Sequence, residues 1–408
     1  MGSGAKDPSA LIPLYLSVFV AVLGFSLVAP IFPLYAMSLG ASYTLLGLVV
    51  SVYGAVQLLT QIPIGRLSDR TGRKWLLILG LITFTILPPL YIYATNAYIL
   101  LPIRILGGIG ASAVWPLAMA LIIDQAEGKG RAMGWYNASF FSAVAFGPLI
   151  GGGLYDLYGL KAPFYFWAFL GVTSVVTVLI KVREPARHNV SSSMKSDPPR
   201  ENLILSGYRA TFVACCGVVM WVGIVGGFNT TMLPGYASRF GISMTEIGLI
   251  YLVYGGTTAL SNIYFGRQAD RGRRKLLIFA GCLSGMVSFA LLPSASNLLQ
   301  VILLYAALGT GLGIGNPAAA AIIADATCTS RRGEIFGLFN TSRMMGVVIG
   351  PLIAGIIADT YGVNGAIEAF TVIAAIITLG TSSVRDPLVA CTKGDGILQA
   401  EGTQVSDP

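Results

Sequence analysis

The sequence predicts an all-α membrane protein, twelve transmembrane helices arranged as two pseudo-symmetric six-helix bundles. Three observations carry this expectation. First, 55% of the 408 residues are hydrophobic and only 11% charged, with a mean hydropathy of +0.75. A soluble protein carries about 25% charged residues, so no aqueous surface can be built from this composition. Second, apolar runs near the ~20 residues that a helix needs to cross a bilayer recur along the whole chain. Third, the second half repeats the first. Backbone groups in lipid must bond within their own segment, which leaves helices. A β-barrel would show short alternating segments, and these runs are continuous.

The runs fall at about 11–36, 44–65, 75–94, 97–123, 131–154, 162–182, 208–232, 244–266, 275–294, 297–323, 333–357 and 363–383. The first is too long for a signal peptide. "MGSGAK" opens like an N-myristoylation signal but has Lys6 where Ser or Thr is wanted. Runs two and eight each end in a charged decapeptide, "GRLSDRTGRK" (65–74) and "GRQADRGRRK" (266–275). After run six, residues 183–207 are polar and rich in Pro and Ser, a linker between bundles at 1–182 and 208–385. Residues 386–408 have no periodic apolar pattern and are expected to be a disordered tail.

Self-similarity is the most informative feature. "PLYAMSLGASYTLLG" (33–47) matches "PGYASRFGISMTEIG" (234–248) at an offset of 201, and Tyr53, Pro116 and Asp124 recur as Tyr254, Pro317 and Asp325. Further on the offset is 203: "GPLIGGGLYDLYG" (147–159) pairs with "GPLIAGIIADTYG" (350–362), and Asn137 with Asn340. A fainter repeat lies within each half. Gly65-x3-Asp69-x2-Gly72 has the spacing of Gly152, Asp156, Gly159 and of Gly355, Asp359, Gly362, on opposite membrane faces. An inverted three-helix repeat leaves this trace, and many secondary transporters are built that way.

The net charge of +8 is topological. With twelve spans and the N-terminus inside, 22 of the 26 Lys and Arg fall on the inner side, Lys161 and Arg239 outside, and Arg104 and Arg343 within spans. The positive-inside rule then puts both termini and both decapeptides in the cytoplasm, with the plasma membrane as the expected location and no role for nucleic acid. The five cysteines form no CxxC pair and no metal spacing, and the one histidine, His188, lies in the linker. No G-x-S-x-G, HExxH, Walker motif or buried acid pair points to an enzyme, a metal or a cofactor. A monomer is expected.

At these residues the chain resembles the major facilitator superfamily, in its twelve-helix drug:proton antiporter branch, over about residues 11–385. "GRLSDRTGRK" is similar to that family's signature G-x-L-x-D-R-x-G-R-K, with the second decapeptide its echo. "RILGGIGAS" (104–112), holding Gly108 and Gly110, is similar to the helix 4 motif R-x-x-Q-G-x-G-A, with Gly107 in place of Gln. "GPLIGG" (147–152) is similar to the helix 5 antiporter motif G-P-x-x-G-G. The resemblance implies a conformational latch. Gly65 would allow close packing, Asp69 would face the positive start of helix 11 near Gly333, and Arg73 would pair with Asp124. Gly266, Asp270, Arg274 and Asp325 would repeat this against helix 5, with Arg70 and Arg271 beside them. A solvated loop that only sets orientation explains the bases but not the aspartate in both copies.

The resemblance also connects Arg104 with proton movement, with a structural Arg104 bonded to nearby carbonyls as the other reading; Asp124 and Asp325 are candidate proton carriers or else purely conformational latches. Pro148 can bend helix 5 while Gly147, Gly151 and Gly152 permit close packing, and Gly350-Pro351 does the same in helix 11. The family implies an outer gate there; plain packing is the alternative.

An arginine at the bilayer centre costs roughly 2.5–3.5 kcal/mol on insertion scales, so Arg343, whose counterpart is Phe140, draws notice. Asn340 and Arg343 share a helical face, read as lining a cavity or else as bonded between helices. Gln57, Trp115, Asn137, Asn229, Tyr254 and Asn316 are further candidates for contact with a small-molecule substrate. Two arginines with no central acid favour an anionic or neutral amphipathic compound. The expected activity is proton-coupled export by alternating access. An organic-anion or sugar-type carrier working by uptake or uniport is the runner-up, and a receptor or scaffold without transport the alternative of another class.

Overall fold

A computed structural model describes residues 11–126, 128–182, 184, 208–326 and 332–386. The expected linker and tail lie almost wholly outside these residues. The helices are α1 (Ile12–Leu27), α2 (Phe32–Ser38), α3 (Tyr43–Thr71), α4 (Arg73–Ile92), α5 (Leu100–Gln125), α6 (Lys129–Tyr158) and α7 (Ala162–Lys181). They continue as α8 (Arg209–Thr231), α9 (Leu233–Ala237), α10 (Met244–Asp270), α11 (Arg274–Leu291), α12 (Leu298–Asp325) and α13 (Arg332–Gly380).

Twelve membrane crossings are accounted for. Among the described residues nine helices are long and apolar enough alone, and the α1–α2 pair, bent by 43°, makes a tenth. The 49-residue α13 holds two crossings, because Gly362 at φ 74° breaks it. The twelfth is α10, 27 residues long and packed between α6 and α12.

Two expected boundaries shift for clear reasons. Run one is not a continuous helix: Pro30 has no N–H to donate, and Pro33 opens α2 where no donor is needed. The decapeptides are not loops, since α3 continues to Thr71 and α10 to Asp270. Only Gly72, at φ 106°, separates α3 from α4. Polar residues with ordinary helix propensity give the helix no reason to stop at the membrane edge.

The duplication is visible as paired contacts. Tyr35 donates to the Tyr91 carbonyl and Tyr236 to the Leu292 carbonyl, 201 residues on in each case. Ser42 caps α3 by accepting from Leu45 N, and Ser243 caps α10 by accepting from Glu246 N. Asn96 caps the short turn at Ala97–Ile99 that leads into α5, and Asn297 caps α12. One core is drawn from residues between Leu11 and Val182. The cores of the second half run from Cys215 to Val384.

Where the first half uses Gly72, the second uses Arg273 at φ 62°, ψ 24°, the one non-glycine with positive φ among the described residues. A left-handed residue costs an L-amino acid about 1–2 kcal/mol, least for Asn. Arg273→Asn is expected to leave the melting midpoint of the detergent-solubilised protein unchanged or raised. Arg273→Val, with a branched Cβ, is expected to lower stability by about 1–2 kcal/mol.

Candidate substrate cavity and gates

The two halves meet along α3 with α13 and α6 with α10. Contact is concentrated at the face opposite the decapeptides. There the Asp359 carboxylate accepts from Tyr43 N (2.9 Å) and Thr44 N (2.8 Å), the free donors at the start of α3. Asp156 does the same for α10, accepting from Met244 N (3.2 Å), Thr245 N (2.8 Å) and Thr245 Oγ1 (2.6 Å). Each carboxylate thus satisfies unpaired N–H groups and meets the positive end of a helix from the other half.

Glycines make the approach possible. A Cβ on Gly355 would overlap the Tyr43 carbonyl, on Gly152 the Met244 carbonyl, on Gly47 the Pro351 carbonyl, and on Gly248 the Pro148 carbonyl. Further along, Gly54 faces Val347 and Val348, and Gly255 faces Ala145.

The charged face is in the opposite state. A Cβ on Gly65, Gly134, Gly266 or Gly337 would meet nothing within 4 Å. Gly65 and Gly266 therefore do not mediate close packing in this structure. Nor is Asp69 seated on the start of α13. Its carboxylate, 64% exposed, meets Arg73 at 3.1 Å within its own half, because the ends of α3 and α13 stand apart here. Arg73 also pairs with Asp124, and Arg274 with Asp325 at 2.5 Å. Glu184 completes this corner by accepting from Arg73 N and Lys74 N, each at 2.8 Å, so it caps α4. Arg70 and Arg271 are exposed. The side chain of Asp270 lies outside the described residues.

The remaining gate positions divide by neighbour. Gly147 and Gly151 press on Ser26 and Leu27 of α1, and Gly350 on Ile224 of α8. Pro351 sits between Gly47 of α3 and Gly227 of α8. Gly108 packs on the Tyr53 carbonyl and Gly110 on Thr83, which ties α5 to α3 and α4.

The two arginines within the spans differ sharply. Arg104 lies only four residues into α5, near the sealed face, and is not deep in a cavity. It is buried, with its guanidinium carbon 3.7 Å from the Phe32 ring centre and 5.7 and 5.8 Å from those of Tyr53 and Tyr91. Aromatic faces offset the cost of that charge, and its Nε has no hydrogen-bond partner among the described residues. Asp124 is 20 residues along the same helix, about 30 Å away. The two cannot exchange a proton directly.

Arg343 lies on α13 one turn to the charged side of Val347, which faces Gly54 of α3. Its Nε and Nη2 donate to Asn340 Oδ1 at 3.3 and 3.2 Å. Among the described residues no carboxylate pairs with it.

The other candidates are not gathered at one point. Gln57 lies partly exposed on α3 just beyond Gly54, and Asn137 is exposed on α6. Trp115 packs on Phe84 and Phe140, with ring centres 5.3 and 5.8 Å away. Asn229 is buried in the second half, where its Oδ1 accepts from Tyr305 Oη at 3.2 Å and its carbonyl from Tyr251 Oη at 2.6 Å. Tyr254 stacks edge-on against Tyr305. Asn316 borders a narrow void beside Trp221, within the second half.

Sequence reasoning missed Asp156, Asp359 and Glu184 as functional residues. The signal for the first two was present. They follow a glycine by four residues, as Asp69 follows Gly65, and that spacing was read only as a trace of duplication.

Residues 14–230 and 216–388 match the family described as Major Facilitator Superfamily. The chain is 26% identical over 377 residues to an uncharacterized MFS-type transporter of Methanocaldococcus jannaschii, covering 90% of this chain and 96% of the relative. It is 28% identical over 351 residues to the quinolone resistance protein NorA of Staphylococcus aureus, covering 85% and 89%. In three dimensions it is similar to a bacterial homologue of the human lysosomal transporter Spinster, solved in an inward-facing and occupied conformation. The TM-score is 0.79 at 16% identity, over 96% of this chain and 98% of that one.

Removing the two aspartates tests the seal. Each cap is worth about 1 kcal/mol, so losing both multiplies the open-to-sealed ratio at that face by about 30. Spin labels at Leu157 and Ser238, in a background freed of the five native cysteines, report the separation of the halves. The double variant Asp156→Ala, Asp359→Ala is expected to add a longer-distance population. An unchanged distribution means that the carboxylates do not hold this face shut.

Proposed function

The chain belongs to the Major Facilitator Superfamily and is a membrane transporter, and on that premise we propose proton-coupled export of small amphipathic, drug-like compounds by alternating access. One observation supports the mechanism above others: the same helix pairs touch at one face and stand apart at the other. Assigning the charged face to the cytoplasm follows the positive-inside rule. The structure then represents the inward-open state of a plasma-membrane carrier, closed outside by Asp156 and Asp359.

On this reading the halves 1–182 and 208–385 rock as units, joined by a linker. When the cytoplasmic face closes, Gly65 and Gly266 come to lie against the partner half, and Asp69 and Asp270 seat on helix starts there. Asp124 and Asp325 hold Arg73 and Arg274 in the present state. Protonating Asp124 would free Arg73 and loosen this corner, which is how proton binding could be tied to rocking. Export of amphipathic compounds is supported by the similarity to NorA, whose name records quinolone resistance. Anionic and neutral compounds are favoured, since the spans hold Arg104 and Arg343 and no central acid.

Everted membrane vesicles test this. An imposed inward-acid proton gradient is expected to drive accumulation of a neutral amphipathic dye, and collapse of the gradient to release it. Asp124→Asn is expected to reduce gradient-driven accumulation at least about tenfold while dye exchange without a gradient persists. Accumulation that ignores the gradient overturns proton coupling. Accumulation only in vesicles of native orientation overturns export.

A further inference from the structure

A short motif recurs at the end of each half. Val-Arg-Glu-Pro (182–185) and Val-Arg-Asp-Pro (384–387) stand at an offset of 202, each just after the last helix of its bundle. Val182 and Val384 are both buried. Just before each motif, a carbonyl accepts from the lysine that ends the decapeptide: Leu179 from Lys74 Nζ at 3.1 Å, and Ser382 from Lys275 Nζ at 2.6 Å. The acid of each strap then meets the next helix start by a different route. Glu184 accepts from the backbone of Arg73 and Lys74, whereas Asp386, one methylene shorter, has its Oδ1 4.0 Å from Arg274 Nη1. The second strap is also tied to α8, since Arg385 N donates to Thr211 Oγ1 at 3.0 Å.

The two corner arginines are therefore held unequally. The Arg73 side chain is 26% exposed and pairs with Asp124 and Asp69, and Asp69 is itself open to water. An ion pair so exposed is worth little. On the proposed cycle Asp69 also leaves, because it seats on the other half when this face closes. The Arg274 side chain is 7% exposed and that of Asp386 5%. Besides its contact with Asp325, Arg274 donates from Nε to the Ala269 carbonyl at 2.8 Å and from Nη1 to the Ala321 carbonyl at 3.5 Å. Removing one partner of a buried pair costs far more than removing one at the surface. Neutralising Asp124 thus leaves Arg73 with one exposed carboxylate. Neutralising Asp325 leaves Arg274 with a buried carboxylate and two carbonyls. Lys74, Arg131, Lys181 and Glu184 around the first corner are partly or wholly exposed, as are Arg209, Lys275, Glu334 and Arg385 around the second. The side chain of Asp270 lies outside the described residues.

We infer that Asp386 is a positioning residue, acting through Arg274, that makes the second-half corner a fixed fastener and leaves Asp124 as the acid on which a proton acts. This rests on the proton-coupled reading above and chooses between its two candidate carriers. The contacts of Asp386, Arg385 and Arg274 named here all lie within the second half, so rocking of the halves as units leaves them in place. Proton response is thereby one-sided in a frame that is otherwise two-fold.

Spin labels at the exposed Leu67 of α3 and Leu338 of α13, in a cysteine-free background, report the separation of the halves at the charged face of the purified protein in detergent. Between about pH 8 and about pH 4, where carboxylates take up protons, the parent is expected to lose its long-distance population along a one-proton curve. Asp124→Asn is expected to remove that response, and Asp325→Asn to keep a one-proton response. Asp386→Asn is expected to steepen the curve toward two protons, because protonating Asp325 then frees Arg274 as well. Asp386→Glu is expected to restore the one-proton curve, which separates a lost charge from a damaged fold. A response that Asp325→Asn removes and Asp124→Asn keeps overturns the inference and leaves proton coupling standing; this comparison decides even if Asp386→Asn does not fold. A one-proton curve in folded Asp386→Asn overturns it as well. Parent distances that ignore pH defeat the proton-coupled reading itself, and this inference with it.

Discussion

A carboxylate placed on the first turn of a helix from elsewhere in the chain is the interaction on which this architecture depends. The first N–H groups of any helix lack intrahelical partners, and at the edge of a bilayer water is a poor guarantee of finding one. Asp156 and Asp359 supply acceptors across the boundary between halves, and Glu184 does so within one half. In both cross-boundary cases a glycine precedes the aspartate by four residues. That spacing puts the two on one helical face, one turn apart. The glycine lets the backbones close, and the aspartate then reaches the exposed N–H groups. Gly-x3-Asp is thus a docking unit, and Gly65-x3-Asp69 is the same unit left undocked.

A unit of this kind is suited to a boundary that must open. Its strength is concentrated in a few hydrogen bonds and a close backbone fit, and both vanish together when the helices tilt. Beyond the aspartates, glycines of one half meet apolar residues of the other, Gly54 with Val347 and Val348 and Gly255 with Ala145. The proposed cycle amounts to exchanging docked units at one face for docked units at the other. The two faces need only be nearly balanced for a bound molecule or a proton to tip them.

Much of this was legible in the sequence, and the reason is local. Span length and decapeptide spacing depend on residues near one another in the chain, and the offsets of 201 and 203 on comparing one stretch of it with another, so the crossings and the duplication could be read directly. What escaped depends on state or on distant partners. The sequence holds Gly-x3-Asp on both faces and does not say which copy is docked, so Asp69 was given a partner that it lacks here. The aromatic setting of Arg104 was not foreseen, because its three ring neighbours come from different helices. The break after Leu27 was hidden because apolar composition runs straight through it, although Pro30 marked the place.

The pattern of what duplication kept and what it let go sorts frame from function. Helix caps at Ser42 and Ser243, the tyrosine struts at Tyr35 and Tyr236, and the seal aspartates are the same in both halves. All of them serve a boundary that is two-fold by construction, where a change on one side would unbalance the other. A small asymmetric ligand faces no such constraint. It meets one half with its apolar part and the other with its polar part, so positions that touch it are free to diverge. Trp115 against Asn316 and Phe140 against Arg343 are positions where the halves have diverged.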